Sequence, residues 1–288
     1  MKFGIYNSYW EHNWGGDCRP YVLRVKRLGF DAFEVSMGGF ENTAPSYWKE
    51  LGKIAHDEGI YLTAGYGPYA GTSVSSADPG EANQGQENFL RIFDLMALAD
   101  IHFIGGGLYS YWPVDFSKPF DKSADRHRAI EGTGRFAQAA KERGIVLGME
   151  VLNRFEGYLI NTAEEAVEFV TEVGMENVKI MLDTFHMNIE EDTMIGAILT
   201  AGSLLGHLHV GEANRKLPGQ GRMPWAEIGS ALRAIGYDGS IVMEPFVLEG
   251  GQIARDIKVW RDLSSGASMA ELDQQAAESV CYLRKIFG

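Results

Sequence analysis

Cysteine is scarce in this chain. Cys18 and Cys281 are the only two, they lie near opposite ends, and no CxxC pair occurs, which argues against a disulfide framework or a thiolate zinc site and for two reduced thiols. Positive charge is also in short supply. With 26 Lys and Arg against 39 Asp and Glu, the formal net charge is −13. Nucleic acid and anionic membranes are polyanions and are therefore disfavoured as partners, whereas neutral or cationic small molecules are not. There is no stretch of about 18 uninterrupted apolar residues. The opening MKFGIYNSYW has neither a long apolar segment nor a small-residue cleavage site, so a cytoplasmic protein without membrane spans is expected. No low-complexity tract or charge block divides the chain.

The remaining composition is that of an ordinary globular protein, with 45% hydrophobic, 11% aromatic and 23% charged residues. Short apolar runs alternate with longer helical patterns. Eight of the runs read as strands, over residues 3–6, 32–35, 61–64, 102–104, 146–150, 179–183, 207–210 and 241–244. The helices between them carry stop and start signals. Thr162 and Glu165 form a T-x-x-E capping box, and Gly174 ends that helix. Ser268 and Glu271 repeat the box before the last helix, and Pro224 reads as a residue just inside the helix of 225–234. A faint internal echo, Leu28-Gly-Phe-Asp31 and Ile235-Gly-Tyr-Asp238, leads into the second and eighth strands. Strand then helix, eight times over 288 residues, predicts an α/β protein, a (β/α)₈ TIM barrel forming a single domain over 1–288. The connection over 246–265 is long enough to wrap over the barrel mouth.

In such a barrel the loops after the strands build the site. Four polar side chains sit at the ends of the last four predicted strands: Glu150, Asp183, His209 and Glu244, spaced 33, 26 and 35 residues apart. Each gap is what one βα unit consumes. Three carboxylates and an imidazole are a ligand set for a hard or borderline divalent cation. Around them come aromatic stretches: Tyr6-Asn-Ser-Tyr-Trp10 with Trp14 after the first strand, and Gly105-Gly-Gly-Leu-Tyr-Ser-Tyr-Trp112 after the fourth. Aromatic walls over a polar floor suit a sugar, whose C–H faces stack on rings while its hydroxyls seek charged partners.

The strings GGGLYSYWP (105–113), EVLNRFEGYLINT (150–162), IMLDTFHMNIEED (180–192), GHLHVGEANRKLPGQGRMPW (206–225) and VMEPF (242–246) resemble the D-tagatose 3-epimerase family. Within it they are most similar to the D-psicose (D-allulose) 3-epimerases, and the likeness runs from Met1 to the last helix. The resemblance implies an isomerase, a metal-dependent ketose 3-epimerase interconverting D-fructose and D-psicose and extending to D-tagatose and D-sorbose. It also implies one divalent metal per subunit, Mn²⁺ ahead of Co²⁺ or Mg²⁺, and a homodimer or homotetramer. Carried over, the metal ligands fall on Glu150, Asp183, His209 and Glu244, the same four that spacing picks out. The groups for the substrate oxygens fall on Glu156, His186 and Arg215, and the rings around the sugar on Tyr6, Trp14, Trp112 and Phe246. Inverting C3 of a ketose means removing a proton from a weakly acidic carbon and returning one to the opposite face through a cis-enediolate. The resemblance gives the acid and base roles to Glu150 and Glu244.

Other polar residues have plainer readings. His207 shares a strand face with His209 one layer deeper, where a hydrogen-bonded core histidine is expected. His12, His56, His102 and His127 lie in helix, loop or strand-start contexts that do not suggest metal binding. Glu34, ending the second strand, points to the same mouth and is expected to support the site from behind. Gly105 to Gly107 let a substrate approach the backbone. Tyr66 stands where it could alter contacts with C4 to C6, which leaves the preferred ketose open among D-psicose, D-tagatose, D-fructose and L-ribulose. Three rival functions share parts of this pattern. An aldose–ketose isomerase would use a similar metal site. A metal-dependent endonuclease would need more histidines and a basic groove. A non-catalytic sugar-binding protein would have no use for paired carboxylates beside a metal.

Overall fold

Strands and helices alternate as the pattern predicts in the computed structural model, which describes residues 1–288. The strands are β1 (Lys2–Tyr6), β2 (Ala32–Ser36), β3 (Tyr61–Gly65), β4 (Phe103–Gly106), β5 (Val146–Glu150), β6 (Val178–Asp183), β7 (Leu205–Val210) and β8 (Ser240–Met243). They are parallel and close into one barrel in chain order, with β1 pairing β8 at Phe3↔Ile241 and Gly4↔Val242. The helices are α1 (Arg19–Arg27), α2 (Pro45–Glu58), α3 (Pro79–Leu98), α4 (Lys122–Glu142), α5 (Ala163–Val173), α6 (Thr184–Glu190), α7 (Met194–Ala201), α8 (Trp225–Ala234), α9 (Gly251–Asp256) and α10 (Met269–Phe287). None is long and apolar enough to cross a membrane. Both cysteines are free, Cys18 buried and Cys281 exposed.

Local signals explain most element ends. Ser268 and Glu271 make the complete reciprocal capping box at the start of α10. The box at Thr162 is only half made: Thr162 accepts from the Glu165 N–H, but the Glu165 carboxylate turns instead to the Asn161 N–H and to Lys122. A lysine and a free amide next door outcompete the cap residue's own N–H for the same oxygens. Pro224 sits at the cap of α8 rather than inside it. The fourth strand starts at Phe103, one residue after His102, whose ring is drawn outward to Asp100 and the Gly144 carbonyl. The eighth ends at Met243, so Glu244 lies just past its strand. The internal echo is a shared helix stop. Phe30 N–H reaches back to Val25 O and Tyr237 N–H to Leu232 O, at 3.1 and 3.0 Å, each past a glycine at positive φ.

The barrel interior carries buried polar side chains. Phe103 stacks on His207 at 4.3 Å between ring centroids, and glycines make room for that layer: a Cβ on Gly148 would come within 2.5 Å of the Phe103 ring. Above it lie Glu34, Thr63 and His209. The apolar core lies between the sheet and the helix ring, as a continuous cluster including Ile5, Phe33, Val35, Phe89, Phe93, Phe136, Phe169 and Ile180. The scaffold is thus held by outward-facing apolar side chains while inward-facing positions are free to carry chemistry.

Candidate active site

Four neighbouring strand ends supply the floor of the site. Glu150 closes β5, Asp183 closes β6, His209 is the penultimate residue of β7, and Glu244 follows β8 at once. One donor atom from each lies within 4.8 Å of all the others. Asp183 does double duty, since its Oδ1 also accepts the Phe185 N–H at 2.6 Å and caps α6.

His209 is aimed by the residue behind it. Its Nε2 lies 2.6 Å from Glu34 Oε1, and the fully buried Glu34 also accepts from Thr63 Oγ1 at 2.7 Å. A carboxylate at Nε2 demands a proton there and turns Nδ1 towards the acids, 3.4 Å from Glu244 Oε1 and 3.9 Å from Glu150 Oε1. That buried Nδ1 makes no hydrogen bond. Glu34 therefore supports the site from behind, as its place on the second strand suggests. His207 is the core residue expected, with its Nε2 3.0 Å from Glu34 Oε2, but it is not hydrogen-bonded as expected: neither ring nitrogen finds an aligned partner. Stacking on Phe103 sets its ring plane, and burial lowers its pKa.

The electrostatics show what the cluster lacks. Burial, and then the charge of Glu244, push the Glu150 carboxyl well above the usual carboxylate range. Burial would raise Asp183 too, but His186, Arg215 and His209 outweigh it and hold that carboxyl low. For His209 burial alone would lower the pKa, yet Glu244 and Glu34 raise it well above the ordinary histidine value. A carboxyl driven to protonate by its neighbours and a buried imidazole nitrogen without a partner both call for one more positive centre. Three carboxylates and an imidazole fit a divalent cation there. Replacing Glu34 with Gln is expected to weaken divalent-cation binding by about 10- to 100-fold. Isothermal titration measures this, and unchanged affinity would show that Glu34 does not orient His209.

Beside the floor stands a second polar group, Arg215, Glu156, Asn153 and His186. Arg215 Nη1 lies 3.0 Å from Glu244 Oε2 and 3.3 Å from Asp183 Oδ2, and its Nη2 is 3.3 Å from Glu156 Oε1. Its guanidinium stacks on the Phe185 ring at 3.8 Å. Asn153 was not among the residues picked from the sequence, although it lies midway between Glu150 and Glu156. Its side-chain amide donates to Glu156 Oε1 at 2.9 Å and to His186 Nδ1 at 2.7 Å. His186 Nε2 is thereby turned to the acids, 3.8 Å from Glu150 Oε1 and 4.0 Å from Asp183 Oδ2. Burial would raise Glu156, but His186 and Arg215 outweigh it and keep the carboxyl low and ionised.

Over this floor opens a cavity of about 430 Å³ with aromatic walls, within the range of small-ligand sites. Tyr6, Trp14, Trp112 and Phe246 all line it, as the sequence suggests. Trp14 is their hub, meeting Trp112 edge-on at 5.7 Å, Phe246 edge-on at 6.1 Å and Tyr6 at 6.4 Å. Tyr66 lines the wall as well, wedged edge-on between Phe40 and Phe89, and its buried hydroxyl has no partner. Gly105 to Gly107 expose backbone to the cavity, and a Cβ on Gly106 would come within 2.2 Å of the Tyr66 carbonyl oxygen. The connection over 246–265 does wrap over the mouth. It folds into α9, whose Gln252 and Asp256 reach the cavity, and Asp256 Oδ2 accepts the Trp14 Nε1–H at 2.7 Å. Sequence reasoning missed Asp256 because 242 residues separate the partners. His12, His56, His102 and His127 take no part in the donor cluster of Glu150, Asp183, His209 and Glu244.

A closed parallel barrel with a carboxylate and imidazole cluster at the C-terminal mouth defines the xylose isomerase-like class of TIM barrels, and the profile of that family matches residues 22–263. Individual relatives narrow this. The D-psicose 3-epimerase of Agrobacterium fabrum (strain C58) is 51% identical over 288 residues, covering 100% of both chains. That of Enterocloster bolteae is 49% identical over 290 residues, covering 100% of this chain and 96% of its own. The crystal structure of a D-psicose 3-epimerase in the presence of D-fructose matches with a TM-score of 0.98 at 51% identity, over 100% of both chains. The chain belongs to the D-tagatose 3-epimerase family and is an isomerase of the epimerase class.

Proposed function

We propose that this protein interconverts D-fructose and D-psicose at C3, with D-tagatose and D-sorbose as further substrates, and that Glu150 and Glu244 are its acid and base. One observation carries the reading: two carboxylates, one buried and one partly buried, from the ends of strands separated by β6 and β7, converge beside a single imidazole under an aromatic roof. Glu150, Asp183, His209 and Glu244 would hold one divalent cation per subunit, with Mn²⁺ the first choice and Co²⁺ or Mg²⁺ alternatives for a site so rich in oxygen. Such a cation, when bound, would polarise the substrate carbonyl and lower the cost of charge developing on its oxygens.

The chain's own residues do the remaining work. Glu150 and Glu244 approach from different sides of the mouth, so that one can take the C3 proton while the other returns one, with roles exchanged in the reverse direction. His186, oriented by Asn153, and Arg215, held by Glu156, present N–H groups to the substrate oxygens and favour the cis-enediolate over the neutral sugar. Tyr6, Trp14, Trp112 and Phe246 cover the apolar faces of the sugar and exclude water, so that the proton returns from a carboxyl group. The exposed rings Phe116 and Phe120, packed with Tyr158, support association into a homodimer or homotetramer; a sedimentation mass of one chain would rule this out. Two free cysteines support a cytoplasmic location, and fractionation of the host cell checks it.

The deciding assay incubates D-fructose with protein stripped of metal and reconstituted with Mn²⁺, Co²⁺ or Mg²⁺, and identifies the products. D-psicose is expected. Glucose or mannose without D-psicose would place the chemistry at C1 and C2 and make the protein an aldose–ketose isomerase.

A further inference from the structure

The segment 211–224 between β7 and α8 has no helix or strand of its own, yet it holds Arg215 deep in the site. Arg215 is there in a backbone conformation that non-glycine residues avoid, φ +66°, which persists only where the surroundings impose it. The imposing group is Glu212. Its backbone closes a tight turn, with Glu212 N–H donating to Lys216 O and Arg215 N–H donating to Glu212 O, both at 2.9 Å. Its carboxylate is 1% exposed. Oε1 accepts from the Gly219 N–H at 2.8 Å and from Trp225 Nε1–H at 2.9 Å, and Oε2 accepts from the Met223 N–H at 3.1 Å. The near end of the loop is thus tied to its far end and to the first residue of α8. The wrapping is close, since a Cβ on Gly221 would come within 2.3 Å of Glu212 Oε2. A last bond, Phe246 N–H to Arg215 O at 2.9 Å, ties the turn to the segment carrying Glu244.

We propose that Glu212 is a positioning residue, whose buried carboxylate folds the β7–α8 loop around itself and so presents the Arg215 guanidinium to Glu156, Asp183 and Glu244. This rests on the role given above to Arg215. A carboxylate is needed because it accepts at both oxygens. Glutamine has nearly the same shape, but whichever way its amide is turned, an NH₂ faces an N–H donor and at least one buried donor loses its partner.

The test is a double-mutant cycle of Glu212→Gln and Arg215→Ala in metal-reconstituted protein, with kcat/KM for D-fructose as one readout. Amide exchange at Gly219 and Met223 in metal-free protein is the second. Misplacing Arg215 is expected to lower kcat/KM by about tenfold to a hundredfold. In the Arg215→Ala background the same change is expected to cost less than about twofold, because the side chain it positions is gone. Exchange accelerates in Glu212→Gln at Gly219 or Met223, whichever loses its acceptor, while the global unfolding midpoint stays near that of the parent. Equal losses with and without Arg215, or unchanged kcat/KM in Glu212→Gln, would overturn the proposal. Should Glu212→Gln fail to fold, Trp225→Phe removes one donor from the same carboxylate and must show the same dependence on Arg215. If Arg215→Ala alone leaves kcat/KM intact, the role of Arg215 itself is refuted, a result distinct from the failure of coupling.

Discussion

Changing Glu150 or Glu244 to Gln is expected to lower turnover of D-fructose by about two to four orders of magnitude, the usual contribution of general acid–base catalysis, and to end exchange of the C3 hydrogen with solvent deuterium from at least one of the two epimers. The carboxylates have different surroundings. Glu244 lies beside the Arg215 guanidinium at 3.0 Å, whereas no guanidinium nitrogen comes within 4.0 Å of Glu150, which is pushed upward by burial and by Glu244. Either residue can take the proton in one direction of reaction only if the other returns it, so loss of either should stop net epimerisation. The two variants need not be alike for isotope exchange. With the base for one epimer intact, that sugar could still lose its proton and regain it on the same face. Proton NMR in D₂O, starting from each epimer in turn, separates the cases. Full exchange from both epimers in a variant would remove that residue from the proton path. Binding of the divalent cation must be measured in parallel, because both carboxylates belong to the donor cluster and a weakened site would mimic a lost base.

Stripping the divalent cation is expected to abolish turnover and to lower the thermal midpoint, and the loss of stability should grow as the pH rises. The sign follows from the cation-free pKa shifts. Glu150 is raised by burial and by Glu244; His209, which burial alone would lower, is raised by Glu244 and Glu34. A group whose folded pKa lies above its unfolded value stabilises the fold at pH below the unfolded value, and that contribution disappears as pH climbs through the folded one. Cation-free protein therefore loses stability as pH rises above the unfolded values of these groups, first that of the carboxyl and then that of the imidazole, as protons leave a cluster that has no cation to replace them. Asp183 and Glu156 run the other way. The cations around them outweigh burial and hold their pKa values low, so their contribution is lost only in acid. In loaded protein the cation takes the place of the two protons. Its apparent affinity should rise with pH, by up to about tenfold per unit for each proton released. Thermal melts at two pH values, with chelator and with added Mn²⁺, check this. A gap between loaded and stripped midpoints that narrows towards alkaline pH would contradict it.

The recognisable parts of this fold are local ones. Thr162, Ser268 and Gly174 punctuate helices through contacts with residues three or four positions away, and such contacts are written directly into the chain. Strand cores are legible in the sequence, and their ends fall within a residue or two of the pattern; at His102 the shift follows from a ring drawn outward to Asp100 and the Gly144 carbonyl. The four donors were visible because barrel strands deliver their last residues to one mouth, so spacing alone puts Glu150, Asp183, His209 and Glu244 together. Motif resemblance located His186, Arg215 and the aromatic wall, all of which the cavity contains. Asn153 lies inside one of these motifs, and nothing in its local sequence sets it apart. Its importance is its position between Glu156 and His186, and that depends on how β5 and β6 are set side by side.

By itself, then, the sequence determined the class of fold, the chemistry of the floor and the kind of ligand the walls would suit, because periodicity, capping and donor type are properties of residues and their near neighbours. Only the tertiary structure decided the partnerships. Glu34 meets His209 across 175 positions, Trp14 meets Asp256 across 242, and Arg215 is set among Glu156, Asp183 and Glu244 by a loop wrapped around Glu212. Hydrogen bonding and charge coupling change within a fraction of an ångström. Barrel closure and loop packing set those distances, and no residue spacing encodes them.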